Sequence, residues 1–339
     1  MSKLDRSMRI CCYLLFALVL LSAEPFGKAF GANTSGRLYV TNSLADDITV
    51  IDLHTFRPVQ DIKVGAEVHG ICAPADGRRF FTTIESEHNL KIVDTGTGKI
   101  LSVIPLTGLP NQCAATPDGR YVGVPIRDGN SVDIVDTTLG KVVKVLPIKV
   151  PHNCYNSGSN RDLYVSSMGS DEIDRIDLGS MTYSEKIPVG GVPRPYAVSG
   201  DEKTLYVALT DFHGFAIASI PQCKVIRRVE LPPAPASQCA LEPHTPTHGL
   251  GLSPDGAQLW VTSLADHLVY IYDTHTLRLL GKVSTGQCPN WIAFSPDGKY
   301  CCVSNSGSDE CSIIDTQTRK EVARVKVGKG PKRLLVLAR

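Results

Sequence analysis

The chain has 339 residues, 42% of them hydrophobic and 20% charged, which supplies a sizeable core and excludes wholesale disorder. Its formal net charge of +1 excludes a global pull toward nucleic acid or anionic lipid. An aromatic share of 6% offers little surface on which bases could stack.

The first element is an export signal: Lys3, Arg6 and Arg9 precede an apolar run from Ile10 to Leu21 that is too short to span a bilayer comfortably. Small residues at Gly27 and Ala29 suit cleavage near Ala29, with Ala23 as a rival, so residues 1–29 are read as a signal peptide and 30–339 as the exported chain. No later apolar stretch looks transmembrane, which leaves no anchor once the signal is removed. The expected location is periplasmic or secreted, where disulfides are permitted.

From residue 37 onward one strand signature recurs seven times: Leu38-Tyr39-Val40-Thr41-Asn42, Phe80-Phe81-Thr82-Thr83, Tyr121-Val122-Gly123-Val124, Leu163-Tyr164-Val165-Ser166-Ser167, Leu205-Tyr206-Val207, Leu259-Trp260-Val261-Thr262-Ser263 and Cys302-Val303-Ser304-Asn305. A second alternating run follows each copy and mostly ends in an acidic turn, as in Ile51-Asp52, Val93-Asp94 and Ile314-Asp315; the fifth copy departs with Ser219-Ile220-Pro221. A third run comes next, such as Ile100 to Leu106, and then a fourth that leads into turns such as Ser253-Pro254-Asp255-Gly256. Four short strands per unit of about forty residues, bounded by Asp, Gly and Pro turns, make one propeller blade. The periodic Asp residues, Asp52, Asp94 and Asp315 among them, are expected to cap turn amides rather than act as catalytic acids.

The Tyr-Val-Thr-Asn strand, the Val-Ile-Asp strand and the Ser-Pro-Asp-Gly turn resemble the YVTN family of β-propeller repeats, over residues 37–339. That resemblance implies an all-β, seven-bladed β-propeller. It implies little about function, because the scaffold hosts surface proteins, nucleic-acid binders, redox-enzyme subunits and relatives of lactonases. The first copy begins at a blade's second strand, while Pro331 to Leu337 matches a first strand. The two ends are therefore expected to complete one blade in a 3+1 closure, which removes two open strand edges.

Aligning the innermost strands on their turns places one polar residue per blade at the same position: His69, Asn111, His152, Arg194, His248, Asn290 and Lys332. Their separations are 42, 41, 42, 54, 42 and 42 residues, and the position begins the strand nearest the axis. The seven side chains should therefore converge on one mouth of the central channel. Donors and cations dominate the ring, which suits an anionic or carbonyl-bearing ligand better than a cation. Arg194 could grip a carboxylate or phosphate with two parallel hydrogen bonds, Lys332 offers a point charge, and a histidine could serve as a general base.

The long interval holds an insertion, residues 231–246, expected on the same rim and carrying Glu242 and His244 as further candidates. His69, His152 and His248 could supply imidazoles to zinc, copper or iron, with His244 or Glu242 beside them. Among the cysteines, Cys239 and Cys288 are the leading disulfide pair. Cys302 and Cys311 are read as facing each other across the last hairpin, and Cys72, Cys154 and Cys223 as core residues. No Cys-x-x-Cys-His haem site occurs.

Taken together, these features predict an exported binding or scaffold propeller whose mouth engages a small anionic ligand or a partner protein, with nucleic acid an improbable partner. Two other readings are a lyase or lactone hydrolase, metal-assisted or not, that uses a mouth histidine, and the non-haem propeller subunit of an exported redox complex.

Overall fold

The computed structural model describes residues 36–234, 239 and 244–338, so the export signal read over residues 1–29 and the candidate Glu242 lie outside the described residues. Seven four-stranded antiparallel sheets form the seven blades of a β-propeller. Blade 1 is the closing blade: Arg37–Asn42, Asp47–Asp52 and Arg57–Lys63 come from the start of the chain and Pro331–Leu337 from its end. Register pairs Leu38 with Val336 and Val40 with Leu334, so the C-terminal strand becomes the innermost strand of the first blade. This is the 3+1 closure that the strand count predicts.

Within each blade the second and third strands are buried nearly throughout, as Asp47–Asp52 and Ser131–Asp136 show, because a neighbouring blade covers each face. Such strands read as near-continuous Val, Ile and Leu runs. The outer strand faces solvent and alternates, as in Arg57–Lys63. Seven apolar layers sit between successive blades. In one, Tyr39, Ile48 and Val50 of blade 1 meet Val68, Phe80 and Ile84 of blade 2. In another, Leu38, Val40 and Leu334 of blade 1 meet Cys302, Cys311 and Ile313 of blade 7.

The acidic turns do what their spacing implies. Asp52 Oδ1 accepts the backbone N–H groups of His54 and Thr55, and Asp94 and Asp315 take those of Thr97 and Thr318 in the same way. In the departing fifth copy Ser219 receives the N–H of Gln222 at a longer 3.3 Å.

A feature at the top of the inner strands governs the rest. In blade 2 the pairing of the inner strand with the second strand runs from Ile71↔Thr82 straight to Val68↔Ile84, and His69 and Gly70 fall in the irregular stretch between. The same break recurs in blades 1, 4, 5, 6 and 7. Such bulges turn a side chain out of the pleat and leave a ladder N–H unpaired. Here the orphan belongs to the residue after each ring position, and the hydroxyl at the Thr of the strand signature receives it. Thr41 takes the N–H of Arg333, Thr83 that of Gly70, Ser166 that of Asn153, Thr262 that of Gly249 and Ser304 that of Trp291.

The two blades without such a hydroxyl have other solutions. In blade 3 the position is Pro125, and the N–H of Gln112 is accepted by the side chain of Asn111 itself. In blade 5 the position is Ala208, and the residue after Arg194 is Pro195, which has no N–H to satisfy. Three of the hydroxyls also reach the next blade: Thr41 donates to the His69 carbonyl, Thr83 to that of Asn111 and Ser304 to that of Lys332. Gly70 allows the blades to approach this closely, since a Cβ there would lie 2.8 Å from the Asn111 carbonyl oxygen.

Two outcomes follow. Removing residues 331–339 strips blade 1 of its inner strand and bares the Leu38 and Val40 layer, so the truncated chain loses its cooperative thermal transition; a calorimetric trace matching the full chain would contradict the closure. Thr83→Val keeps the shape but orphans the Gly70 N–H and the Asn111 carbonyl, both buried. It is expected to cost about 2–4 kcal/mol, and a urea midpoint equal to that of the parent would refute the linking role.

Candidate functional site

Five of the seven ring residues meet in one cavity. His69, His152, Arg194, His248 and Lys332 line a space of about 370 Å3 at the channel mouth, together with Arg127, Val150, Pro151, Met168 and Arg333. The other two ring residues do not line it. Asn111 is fully buried and its Oδ1 is engaged by Gln112, while Asn290 is buried with its Oδ1 facing the Arg333 guanidinium at 3.5 Å.

Both asparagines are thus scaffold. His244 is exposed on the insertion, 3.8 Å from Asp211, and lines neither this cavity nor its neighbour. The insertion is nevertheless tied to the rim: Cys239 and Cys288 form the expected disulfide, two residues before Asn290.

Each histidine is held through the same nitrogen. His69 Nδ1 stands 2.6 Å from Glu85 Oε1. His152 Nδ1 lies 2.6 Å from Asn153 Oδ1, and His248 Nδ1 lies 2.8 Å from the Asn290 carbonyl oxygen. The Asn153 and Asn290 oxygens accept, so in His152 and His248 Nδ1 carries the proton and Nε2 is left with its lone pair. Nε2 of His69 is buried without a hydrogen-bond partner.

Electrostatics reinforce this state. Burial, and then the nearby Arg333, Lys332 and Arg127, hold His69 well below the usual imidazole range. For His152 the causes are burial, Arg333 and Arg194; for His248 they are burial and Arg333, against a smaller opposing pull from the Asn290 carbonyl. Burial pushes Glu85 upward while Arg127, Lys332 and Arg333 draw it back. A charged His69 is opposed by burial and by three neighbouring cations at once, with Glu85 Oε1 2.6 Å from its Nδ1.

The floor of the cavity is cationic as well. Arg333 is only 2% exposed, and its guanidinium stacks 3.9 Å above the Trp291 ring, which in turn lies parallel to Tyr155 with centroids 6.2 Å apart. Arg194 Nε donates to Thr210 Oγ1, which aims the rest of its guanidinium. Arg127 Nη1 stands 3.8 Å from Glu85. Four cationic side chains thus surround three neutral imidazoles and one carboxylate. A second cavity of about 520 Å3 shares His69, Arg127 and Lys332 and extends outward past Glu85, Glu67 and Asp46.

Arg127, Glu85 and Arg333 are absent from the ring read in the sequence. A periodic signal for the first two exists: Ser43, Glu85, Arg127, Met168, Thr210, Leu264 and Ser306 each follow the second strand of their blade, at nearly the same spacing as the ring. Among the described residues no three His, Cys, Asp or Glu side chains come together as a metal-binding group, so His69, His152 and His248 share a cavity without converging as ligands.

The cysteines depart from expectation in two places. Cys311 pairs with Ser304 and Cys302 with Ile313, so Cys302 and Cys311 are offset in register and remain buried free thiols. Cys154 is a core residue as expected, but Cys223 is exposed and Cys72 only partly covered. Among the described residues no helix is long and apolar enough to cross a membrane.

No protein-family model and no curated protein sequence matches the chain. Solved structures do. Hydrazine synthase of Kuenenia stuttgartiensis matches with a TM-score of 0.68 at 20% identity, over 80% of this chain and 95% of that one. The dihydro-heme d1 dehydrogenase NirN matches at 0.66 and 16% identity, over 90% of this chain and 66% of that one. A candidate 6-phosphogluconolactonase of Bacteroides uniformis matches at 0.73 and 15% identity, over 89% of this chain and all of that one. At these identities the likeness is one of fold, shared by propellers of different activity.

The depressed histidines give the folded state a pH signature. Their folded pKa values lie below the unfolded value of about 6.5, so the unfolded chain takes up protons first as pH falls, and stability present at pH 7 is lost toward pH 5. His248→Asn keeps a donor for the Asn290 carbonyl and removes one such group. Urea midpoints at pH 7, 6 and 5 should therefore fall less steeply in the variant, and identical slopes would show that His248 is not held neutral.

Proposed function

We propose that the chain is a binding propeller that holds a small anionic ligand at its channel mouth. The cavity of about 370 Å3 is within the range of small-molecule sites. Its walls carry Arg127, Arg194, Lys332 and Arg333, and its three imidazoles add no charge of their own near neutral pH. The single observation that carries the reading is the convergence of these four cationic side chains, Arg333 buried, Arg194 and Lys332 half-buried and Arg127 exposed, on one cavity beside the imidazoles. A carboxylate or phosphate entering it would accept from the guanidinium groups, while its hydroxyl or amide donors would meet histidine Nε2 atoms. The signal-like N-terminus supports an exported protein with this role.

A second reading is catalytic, and the His69–Glu85 pair favours it. An imidazole with a carboxyl oxygen 2.6 Å from its Nδ1 and an unpartnered Nε2 approaches the arrangement of a general base. Arg194 and Lys332 would then fix the anionic end of a substrate while His69 removes a proton, or activates water against an ester or lactone carbonyl.

Titration calorimetry with inorganic phosphate, malonate and citrate, and with glucose as a neutral control, tests the binding reading. At least one of the anions is expected to bind saturably, and Arg194→Ala to weaken it by about 10- to 100-fold, as loss of a charged hydrogen bond implies. Glu85→Gln should leave that affinity within a few-fold, and in the catalytic reading it would abolish turnover instead. Equal affinity in the parent and Arg194→Ala proteins, or no binding of any anion, would overturn the proposal.

A further inference from the structure

The opposite end of the inner strands carries a second, unrelated constellation. A cavity of about 340 Å3 opens between the turns at Ala75, Pro117 and Gly158, and Cys72, Cys113 and Cys154 line it from three successive blades. Cys72 Sγ and Cys113 Sγ stand 3.0 Å apart across the boundary of blades 2 and 3. A shift of about 1 Å would bring them to bonding distance, since a disulfide measures about 2.05 Å. Cys72 is partly exposed to the cavity, Cys113 is buried behind it, and both are free thiols.

The inner segment of blade 3 is joined to its second strand on either side of this place. Its inner strand is paired at Ala114 and Ala115, with an isolated bridge from Pro110 to Ile126, and the inner strand of blade 2 is paired at Val68, Ile71 and Cys72. The intervening residues 111–113 include the scaffold residue Asn111. A covalent tie at Cys113 would fasten the inner segment of blade 3 to that of blade 2.

We propose that Cys72 and Cys113 are a reversible inter-blade disulfide site, oxidised by thiol–disulfide exchange through the lower cavity. The thiolate of Cys72 attacks a small-molecule disulfide, forming a mixed disulfide and releasing one thiol; the thiolate of Cys113 then attacks Cys72 Sγ and expels the second. Two cysteine thiols lose two protons and two electrons, and the incoming disulfide becomes two thiols. Burial raises the Cys72 thiol well above its ordinary range, so the exchange is run under mildly alkaline conditions.

The experiment uses the full chain carrying Cys223→Ser, incubated at pH 8.5 with oxidised glutathione, quenched with N-ethylmaleimide and mapped by peptide mass spectrometry. A Cys72–Cys113 cross-linked peptide pair that dithiothreitol releases is expected, together with amide exchange over residues 111–116 slowed at least tenfold. Cys113→Ser should stop at glutathione on Cys72, and Cys72→Ser should leave Cys113 free. The proposal is overturned if both thiols are recovered alkylated, or if Cys113 is found bridged to Cys154. Neither result bears on the anion site at the other mouth.

Discussion

One unpaired backbone N–H per blade sets the geometry of this molecule. Each inner strand must break its ladder to turn a side chain into the channel, and the amide freed by the break is buried, where leaving it unsatisfied costs about 1–3 kcal/mol. Five blades spend a Thr or Ser hydroxyl on it, one uses the ring residue Asn111, and one replaces the amide by Pro195. The requirement is met seven times by three different chemistries, which identifies it as a constraint of the architecture. It also explains why a Thr recurs in the Tyr-Val-Thr-Asn strand although the position faces no solvent.

The same hydroxyls couple the blades. Thr41, Thr83 and Ser304 each accept from their own blade and donate to the carbonyl of the next blade's ring residue. His69, Asn111 and Lys332 are thereby fixed through their carbonyls, and the His152 and His248 side chains are fixed through Nδ1. A site built this way is preorganised: little rotamer freedom remains to be lost when a ligand arrives. Burial and the nearby Arg127, Arg194, Lys332 and Arg333 together hold the imidazoles well below their usual range.

Legibility in the sequence varied with how local each feature is. The seven blades, the closure by Pro331–Leu337 and the acidic turns depend on strand period and turn chemistry, which are written in consecutive residues. The ring was legible because the repeat is nearly exact in length, so equal offsets mean equal places. Arg127 and Glu85 carry the same spacing but sit in turns, where a charged residue looks like ordinary solvent exposure. Cys302 and Cys311 show the limit of hairpin counting, because their offset follows from the exact cross-strand register, Cys311 with Ser304, which a turn length estimated from sequence does not resolve.

By itself the sequence determined a repeated β-module, its count, its mode of closure and the presence of seven polar positions near the axis. Only the tertiary structure decided that His69, His152, Arg194, His248 and Lys332 share a cavity while Asn111 takes a backbone N–H and Asn290 faces the Arg333 guanidinium. It alone decided that Arg333, one residue from the ring, lies beneath the histidines on Trp291. The physical reason is that periodicity specifies where a backbone position falls around the axis. Which way its side chain turns, and whether it is charged there, depends on hydrogen-bond partners and burial contributed by residues tens to hundreds of positions away.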